Sequence, residues 1–423
     1  MPAQDYLKRA REAIGRQMED IETPALVVDI DIMQANMDKM MAFLCQAGAG
    51  VGIRPHAKSH KTPEIAKLQM ARGALGICCA KLGEAEAMVD GGLTDVMIAS
   101  QVIGKGKIRR LVELSKRVRL TVAVDTRENV EDISRESEAS GGKVGIVIET
   151  EVGMSRCGVR AHGEAVEIAQ AASTLPGVWY AGIMGYEGHA VFMPDIEERE
   201  AAANLAYDKL LAFREAIRAG AGLDSGIVST GGTGTYLFGG RRQGMTDIEA
   251  GSYIFMDTRY GSTAGVDFLN SLAVLSTIIS HPQPDLYVCD AGIKSMTEEF
   301  GLVATLPSYG LKVTGMSEEH IKLKPDADPV NQPGFRALDE KYASKAGRAA
   351  GAGQTAAAGT VVVTGQAAVA HGAGAVRTLA VVDRILLIPS HCCSTVNLHD
   401  VIYAVRDGIV EDVWRVTGRG RFA

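Results

Sequence analysis

The stretch Gly52-Ile53-Arg54-Pro55-His56-Ala57-Lys58-Ser59-His60-Lys61 carries a short apolar run straight into a polar, cation-rich segment. Such a run closed by proline reads as a buried strand that stops where the backbone can no longer donate to a ladder. A lysine held at that strand end among two histidines and further cations has reason to lose its proton, which is how a Schiff-base lysine is prepared. Alone, the segment also reads as a solvated basic turn. The rest of the chain decides between the two.

Working outward, strand-like runs recur at residues 25–29, 52–55, 76–80, 96–99, 120–124, 144–148, 180–184 and 227–229, with helical patterns such as 32–47 and 63–72 between them. Alternation of this kind implies parallel strands joined by helices. Eight such units in roughly 230 residues match a closed (β/α)8 barrel. An open doubly wound sheet is the competitor, but no G-x-G-x-x-G follows the first strand. From about residue 267 the rhythm changes: runs at 272–279, 286–289, 379–389, 401–405 and 410–417 follow one another without helices, which implies a β-rich second domain. The expected organisation is an N-terminal segment (1–22), a barrel (23–266) and a β-rich domain (267–423). The last contains an Ala/Gly-rich insertion at about 324–375, read as a flexible linker or flap with one Val-rich strand candidate at 361–363.

Composition bounds the function. Of 423 residues, 46% are hydrophobic and 22% charged, so the chain reads as globular, and the net charge of -7 argues against a nucleic-acid or anionic-membrane surface. No apolar run reaches the ~18 residues of a membrane span. Residues 1–22 have no apolar core of a secretion signal. Seven scattered cysteines suit a reducing cytoplasm better than a disulfide framework. A cytoplasmic protein is expected.

In a barrel, chemistry gathers at the C-terminal strand ends, and the polar and glycine-rich segments fall there. Besides Lys58 these are Gly153-Met154-Ser155-Arg156-Cys157-Gly158, Tyr186-Glu187-Gly188-His189, Thr230-Gly231-Gly232-Thr233-Gly234-Thr235 and Gly251-Ser252-Tyr253. Glycines beside hydroxyl residues let backbone N–H groups approach an anion, and barrel phosphate sites follow strands seven and eight. A lysine plus a phosphate cradle implies pyridoxal 5'-phosphate (PLP). Tyr186, Thr230, Gly232, Thr233, Gly251, Ser252 and Tyr253 are the expected cofactor-binding residues around Lys58, with Arg156 directed at the pyridine nitrogen. Farther on, His391-Cys392-Cys393 presents an imidazole and a thiolate from one segment, a half-site for Zn²⁺ or Mn²⁺, with Mg²⁺ a third candidate.

Together these segments resemble the D-threonine aldolase and D-serine dehydratase family, PLP enzymes of the alanine-racemase-like fold (fold type III). The resemblance spans nearly the whole chain. It rests on Arg54-Pro55-His56-Ala57-Lys58-x-His60-Lys61, Arg156-Cys157-Gly158-Val159, Gly231-Gly232-Thr233-Gly234-Thr235, Ala250-Gly251-Ser252-Tyr253-x-Phe255-Met256-Asp257, Asp290-Ala291-Gly292-x-Lys294-Ser295 and Pro389-Ser390-His391-x-Cys393. It implies Lys58 rather than Lys61 as the cofactor lysine, His391 and Cys393 as metal ligands, and a homodimer.

Two departures matter. The aldolases resemble His-x-Asp at the metal, whereas this chain carries His391-x-Cys393, as the dehydratases do. The aldolases also carry a histidine six residues after the tyrosine of Tyr186-Glu187-Gly188-His189, where this chain has Phe192; His189, or Glu187, is the expected replacement base. The resemblance implies metal-assisted cleavage of D-β-hydroxy amino acids such as D-threonine to glycine and an aldehyde. The alternatives are dehydration of D-serine, D-threonine or D-3-hydroxyaspartate to a keto acid and ammonia, and a non-catalytic PLP carrier.

Overall fold

The computed structural model describes residues 3–328, 332–342 and 379–423. Eight parallel strands form one sheet: Gly52–Ile53, Ile77–Cys79, Asp95–Ile98, Arg119–Val124, Val144–Glu149, Val178–Met184, Ile227–Thr230 and Asp247–Ile248. Val144–Glu149 is buried at every position, as a strand covered on both faces must be. The sheet closes on itself: the Leu75 N–H donates to Ile53 O and the Cys78 N–H to Pro55 O, both at 2.9 Å. Cys78, Met97, Ala123, Val147, Ala181 and Ile227 form a separate apolar cluster. Local chemistry sets the helix limits. The Thr126 hydroxyl caps Arg127–Ser140 by accepting the Asn129 N–H at 3.3 Å, and Gly141 ends that helix at φ 78°.

The sequence reading of the strands needs one correction. Ala25–Asp29 is not in the barrel. It pairs antiparallel with Leu272–Gln283 and parallel with Val401–Arg406, inside a nine-stranded mixed sheet. A central strand of a mixed sheet is buried on both faces, so its pattern cannot be told from that of a barrel strand. The true eighth barrel strand is Asp247–Ile248, which pairs with Gly52–Ile53 on one side and Ile227–Thr230 on the other. Lys58 therefore follows the first barrel strand, Arg156 the fifth and Tyr186 the sixth. The Gly231–Thr235 loop and Gly251–Tyr253 follow the seventh and eighth.

The start of the expected insertion is also structured rather than flexible. Residues 324 and 325 complete the strand Ile321–Pro325, and the helix Arg336–Tyr342 docks on the mixed sheet. There Lys341 pairs with Asp29 at 2.9 Å and the buried Tyr342 hydroxyl donates to the same carboxylate. An Ala/Gly-rich composition farther along gave no sign of this anchor. The remainder of the insertion, including 361–363, lies outside the described residues. Among those described, no helix is long and apolar enough to cross a membrane.

Candidate active site

At the C-terminal mouth of the barrel lies a cavity of ≈ 320 Å³. Lys58, Arg156, Tyr186, Gly232, Thr233, Gly251 and Ser252 all line it. Lys58 reaches it from a single 3-10 turn, Ala57–Ser59, fixed by the His56 ring, whose Nδ1 accepts the Lys58 N–H at 3.4 Å. The Lys58 ammonium lies 5.7 Å from the centre of the Tyr186 ring, and it makes no hydrogen bond or ion pair among the described residues.

The protonation of this lysine runs opposite to the sequence expectation. Burial works to lower its pKa, but Tyr186, Cys393, Cys78 and Glu249 face it and the net shift is upward. The cations that should have depressed it are neutralised elsewhere: Arg54 pairs with Asp95 at 2.5 Å and Lys61 with the fully buried Glu84 at 2.8 Å. The burden of the cluster falls on its histidines instead. Burial and then the charge of Lys58 hold His56 well below the usual imidazole range, and burial drives His60 down to about 4. Both are neutral at physiological pH.

The glycine loops form the cavity's other wall. Glu187, fully buried, gathers the Gly231–Thr235 loop by accepting the Gly231 N–H at 3.1 Å, the Thr230 hydroxyl at 3.0 Å, the Thr235 hydroxyl at 2.5 Å and the Tyr207 hydroxyl at 2.9 Å. Thr230 and Tyr253 do not line the cavity. Thr230 is committed to this cluster, and the Tyr253 N–H donates to the Thr233 hydroxyl at 3.1 Å while its phenol accepts from Gln69 at 3.2 Å. They position the loops from behind. The backbone N–H groups of Thr233, Gly251 and Ser252 donate to no acceptor among the described residues. A Cβ on Gly251 would lie 2.5 Å from Ser59 Oγ and 2.8 Å from His56 O, so only glycine lets the two strand ends meet.

Arg156 stands at the rim. Its side chain is 48% exposed, 3.4 Å from the buried Glu149, which also accepts from Gln101 at 2.7 Å.

His391 and Cys393 approach the cavity from the second sheet of the same chain. His391 precedes the short helix Cys392–Val396, and its Nδ1 lies 2.9 Å from the fully buried Asp257, which also accepts the Cys392 N–H at 2.9 Å. Cys393 Sγ contacts Ser59 Oγ at 3.4 Å and Ser252 Oγ at 3.5 Å, two residues of the cavity wall. The ligand atoms of His391, Cys392 and Cys393 all lie within 4.8 Å of one another. Burial works against the imidazolium, yet the Cys393 charge and the Asp257 hydrogen bond raise His391 to about 11, while Cys393 is held well below the thiol range by hydrogen bonding from Cys392 and by the His391 charge.

His189 is not brought to this site. Its ring is exposed, packed on Gly153, and outside the cavity lining. Glu187 is drawn inward and the chain turns there, the Ala190 N–H donating to Glu187 O at 2.9 Å, which leaves the His189 ring on the outer side of the turn. Phe192 instead joins an apolar wall beside the histidine of the second sheet: its ring centre is 4.9 Å from Tyr260 and 5.5 Å from Phe300, and Phe300 is 5.2 Å from His391. His189→Ala is therefore expected to keep its turnover. The roughly 10²-fold or greater loss that follows removal of a positioned acid–base group would restore His189 to the mechanism; steady-state kinetics decides.

A family model described as the alanine racemase N-terminal domain matches residues 28–259, and one described as a putative serine dehydratase domain matches 271–338 and 334–405. A D-threonine aldolase from Arthrobacter sp. is 34% identical, covering 96% of this chain and 95% of the relative. The chain belongs to the D-threonine aldolase and D-serine dehydratase family. Another relative, a 3-hydroxy-D-aspartate aldolase from Paracoccus denitrificans, is 32% identical over 96% of this chain and 94% of its own length. The crystal structure of a D-threonine aldolase from Filomicrobium marinum superposes with a TM-score of 0.81 at 31% identity, covering 96% and 98% of the two chains. The family is one of PLP-dependent lyases with the alanine-racemase-like fold, and this chain is one of them.

The residues present fit PLP. An amine without a partner faces a glycine cradle with three free N–H donors across one cavity, which is the donor set a phosphorylated aldehyde requires. They fit a divalent metal as well. A carboxylate on Nδ1 leaves Nε2 of His391 available, the second-shell pattern that fixes a metal-binding imidazole, with a thiolate beside it.

Sequence reasoning missed Glu149, Glu187 as a clamp, Glu249, Asp257 as the imidazole's partner, and Tyr260. Asp257 stood inside a quoted motif without a role. Glu249 stood two residues before a predicted cradle glycine, which was the available signal.

Proposed function

We propose that this enzyme cleaves the Cα–Cβ bond of D-configured β-hydroxy amino acids such as D-threonine, releasing glycine and an aldehyde. In this reading Lys58 anchors PLP and His391 with Cys393 holds Zn²⁺ or Mn²⁺. When bound, PLP supplies an electron sink for the carbon that loses its neighbour, and the metal a Lewis acid toward the β-hydroxyl oxygen. The observation that carries the reading is the contact of Cys393 with Ser59 and Ser252, which sets the ligand pair against the wall of the lysine's cavity.

The chain's own residues have separable tasks. The N–H groups of Thr233, Gly251 and Ser252 would receive the phosphate, with Glu187 holding the Gly231–Thr235 loop from beneath. Tyr186 supplies a flat face beside Lys58. Asp257 keeps the Nδ1 proton of His391 in place, so the Nε2 lone pair points away from it. Phe192 and Phe300 form an apolar wall on the side of His391. Burial holds the Tyr260 phenol far above its ordinary pKa, so it stays a hydrogen-bond donor at the cavity wall.

The dehydratase reading is favoured by one feature, the cysteine at position 393, and by the match of residues 271–405 to the serine dehydratase domain. An end-point assay on D-threonine, D-serine and D-phenylserine separates the two. Aldehyde and glycine in equal amounts are expected from the first and third; keto acid and ammonia without aldehyde would overturn the aldolase reading.

A further inference from the structure

The cavity is lined by two carboxyl groups that the reaction as described leaves unused, Glu149 and Glu249. Glu149 is committed to Gln101 and Arg156 at the rim. Glu249 is 9% exposed and lies on the barrel side of the cavity. Side chains alternate along a strand, and Ile248 and Ala250 turn outward into the main apolar core, so Asp247, Glu249 and Gly251 share the inward face. Glu249 thus stands two residues before a cradle N–H, just past the end of the strand that neighbours the one leading to Lys58.

Two neutral side chains aim its carboxyl: Ser229 Oγ, whose one proton is shared with Asp247, lies 2.8 Å from Oε1, and Cys78 Sγ donates to Oε2 at 3.1 Å. Neither brings a counter-charge. The nearby Asp247 is buried too, and it faces the Arg54 guanidinium, which it shares with Asp95. Facing Glu249 are Asp247, Ser229, Cys78, a neutral His56 and one cation, Lys58. Once Lys58 is committed to PLP, that carboxyl has no fixed cation left.

We propose that Glu249 is a catalytic carboxyl that exchanges a proton with the ring nitrogen of PLP, and that Arg156 serves the rim instead. This rests on the reading that the cavity holds PLP. The step is balanced: the O–H bond of Glu249 breaks, an N–H bond forms, and a carboxylate–pyridinium pair replaces two neutral groups with no further reactant. Burial, and then the charge of Asp247, raise the Glu249 pKa to about 7, so the group holds or gives its proton near neutrality. A protonated ring nitrogen makes PLP a stronger electron sink than the unprotonated one an arginine would enforce.

The test is nitrogen NMR of holoenzyme reconstituted with PLP isotopically labelled at the ring nitrogen. Wild type should resonate at the pyridinium position, Glu249→Gln at the neutral pyridine position, and Arg156→Gln as wild type. A neutral pyridine signal in the wild-type protein overturns the assignment without any variant, as does a shift caused by Arg156→Gln and not by Glu249→Gln. Wild-type protein that binds no PLP would overturn the cofactor reading itself, which is a separate failure.

Discussion

Lys58→Ala is expected to abolish turnover, by roughly 10⁴-fold or more, the scale on which loss of a covalent catalytic group acts. It should also abolish the borohydride-fixed pyridoxyl label on the peptide spanning 54–61. The effect should be confined to chemistry. The ammonium makes no hydrogen bond or ion pair among the described residues, so its removal leaves no hydrogen-bond partner unsatisfied; Glu249, the buried carboxyl that faces it, can hold a proton instead, and stability should stay within about 1 kcal/mol of wild type. Lys61, three residues on, is committed to the buried Glu84 and points away from the cavity lining. Mass spectrometry of the reduced, digested holoenzyme discriminates the two lysines. A label on Lys61, or unimpaired turnover in Lys58→Ala, would overturn the assignment.

The contrast between those two lysines shows what a sequence can and cannot carry. That a reactive lysine follows an early barrel strand was legible, because the apolar run, the proline and the cationic octapeptide are local. Its protonation was not. It depends on Tyr186, Cys393, Cys78 and Glu249, which come from four other segments, while the neighbouring cations turn to Asp95 and Glu84. The barrel was legible from long, fully buried runs such as Val144–Glu149, yet the count of eight was reached with one wrong member. Asp247–Ile248 is two residues long and carries no periodicity, whereas Ala25–Asp29 has the pattern of a barrel strand and is paired by the second sheet. His189 failed for a related reason. Proximity along the chain to Phe192 said nothing of direction, and Glu187, drawn inward by four donors, sets the turn that leaves His189 outside.

Removal of the metal by a chelator, or the substitution His391→Ala, is expected to depress turnover by roughly 10² to 10⁴-fold, since a metal-polarised hydroxyl is worth several kcal/mol. The PLP absorption should be retained, because His391 and Cys393 belong to the second sheet's loop and supply none of the N–H groups of the cradle. Zn²⁺ or Mn²⁺ should restore the chelated wild type and fail to restore His391→Ala. The part played by Asp257 allows a graded check. Asp257→Asn keeps the volume but weakens the bond to Nδ1, and loss of such an outer partner costs about 10- to 100-fold in metal affinity. More metal should then recover activity that His391→Ala cannot recover at any concentration. Atomic absorption on the dialysed proteins, read beside aldehyde production, supplies both quantities. Full activity in protein shown to be metal-free would remove His391 and Cys393 from the chemistry and leave them as a structural link between the second sheet and the barrel mouth.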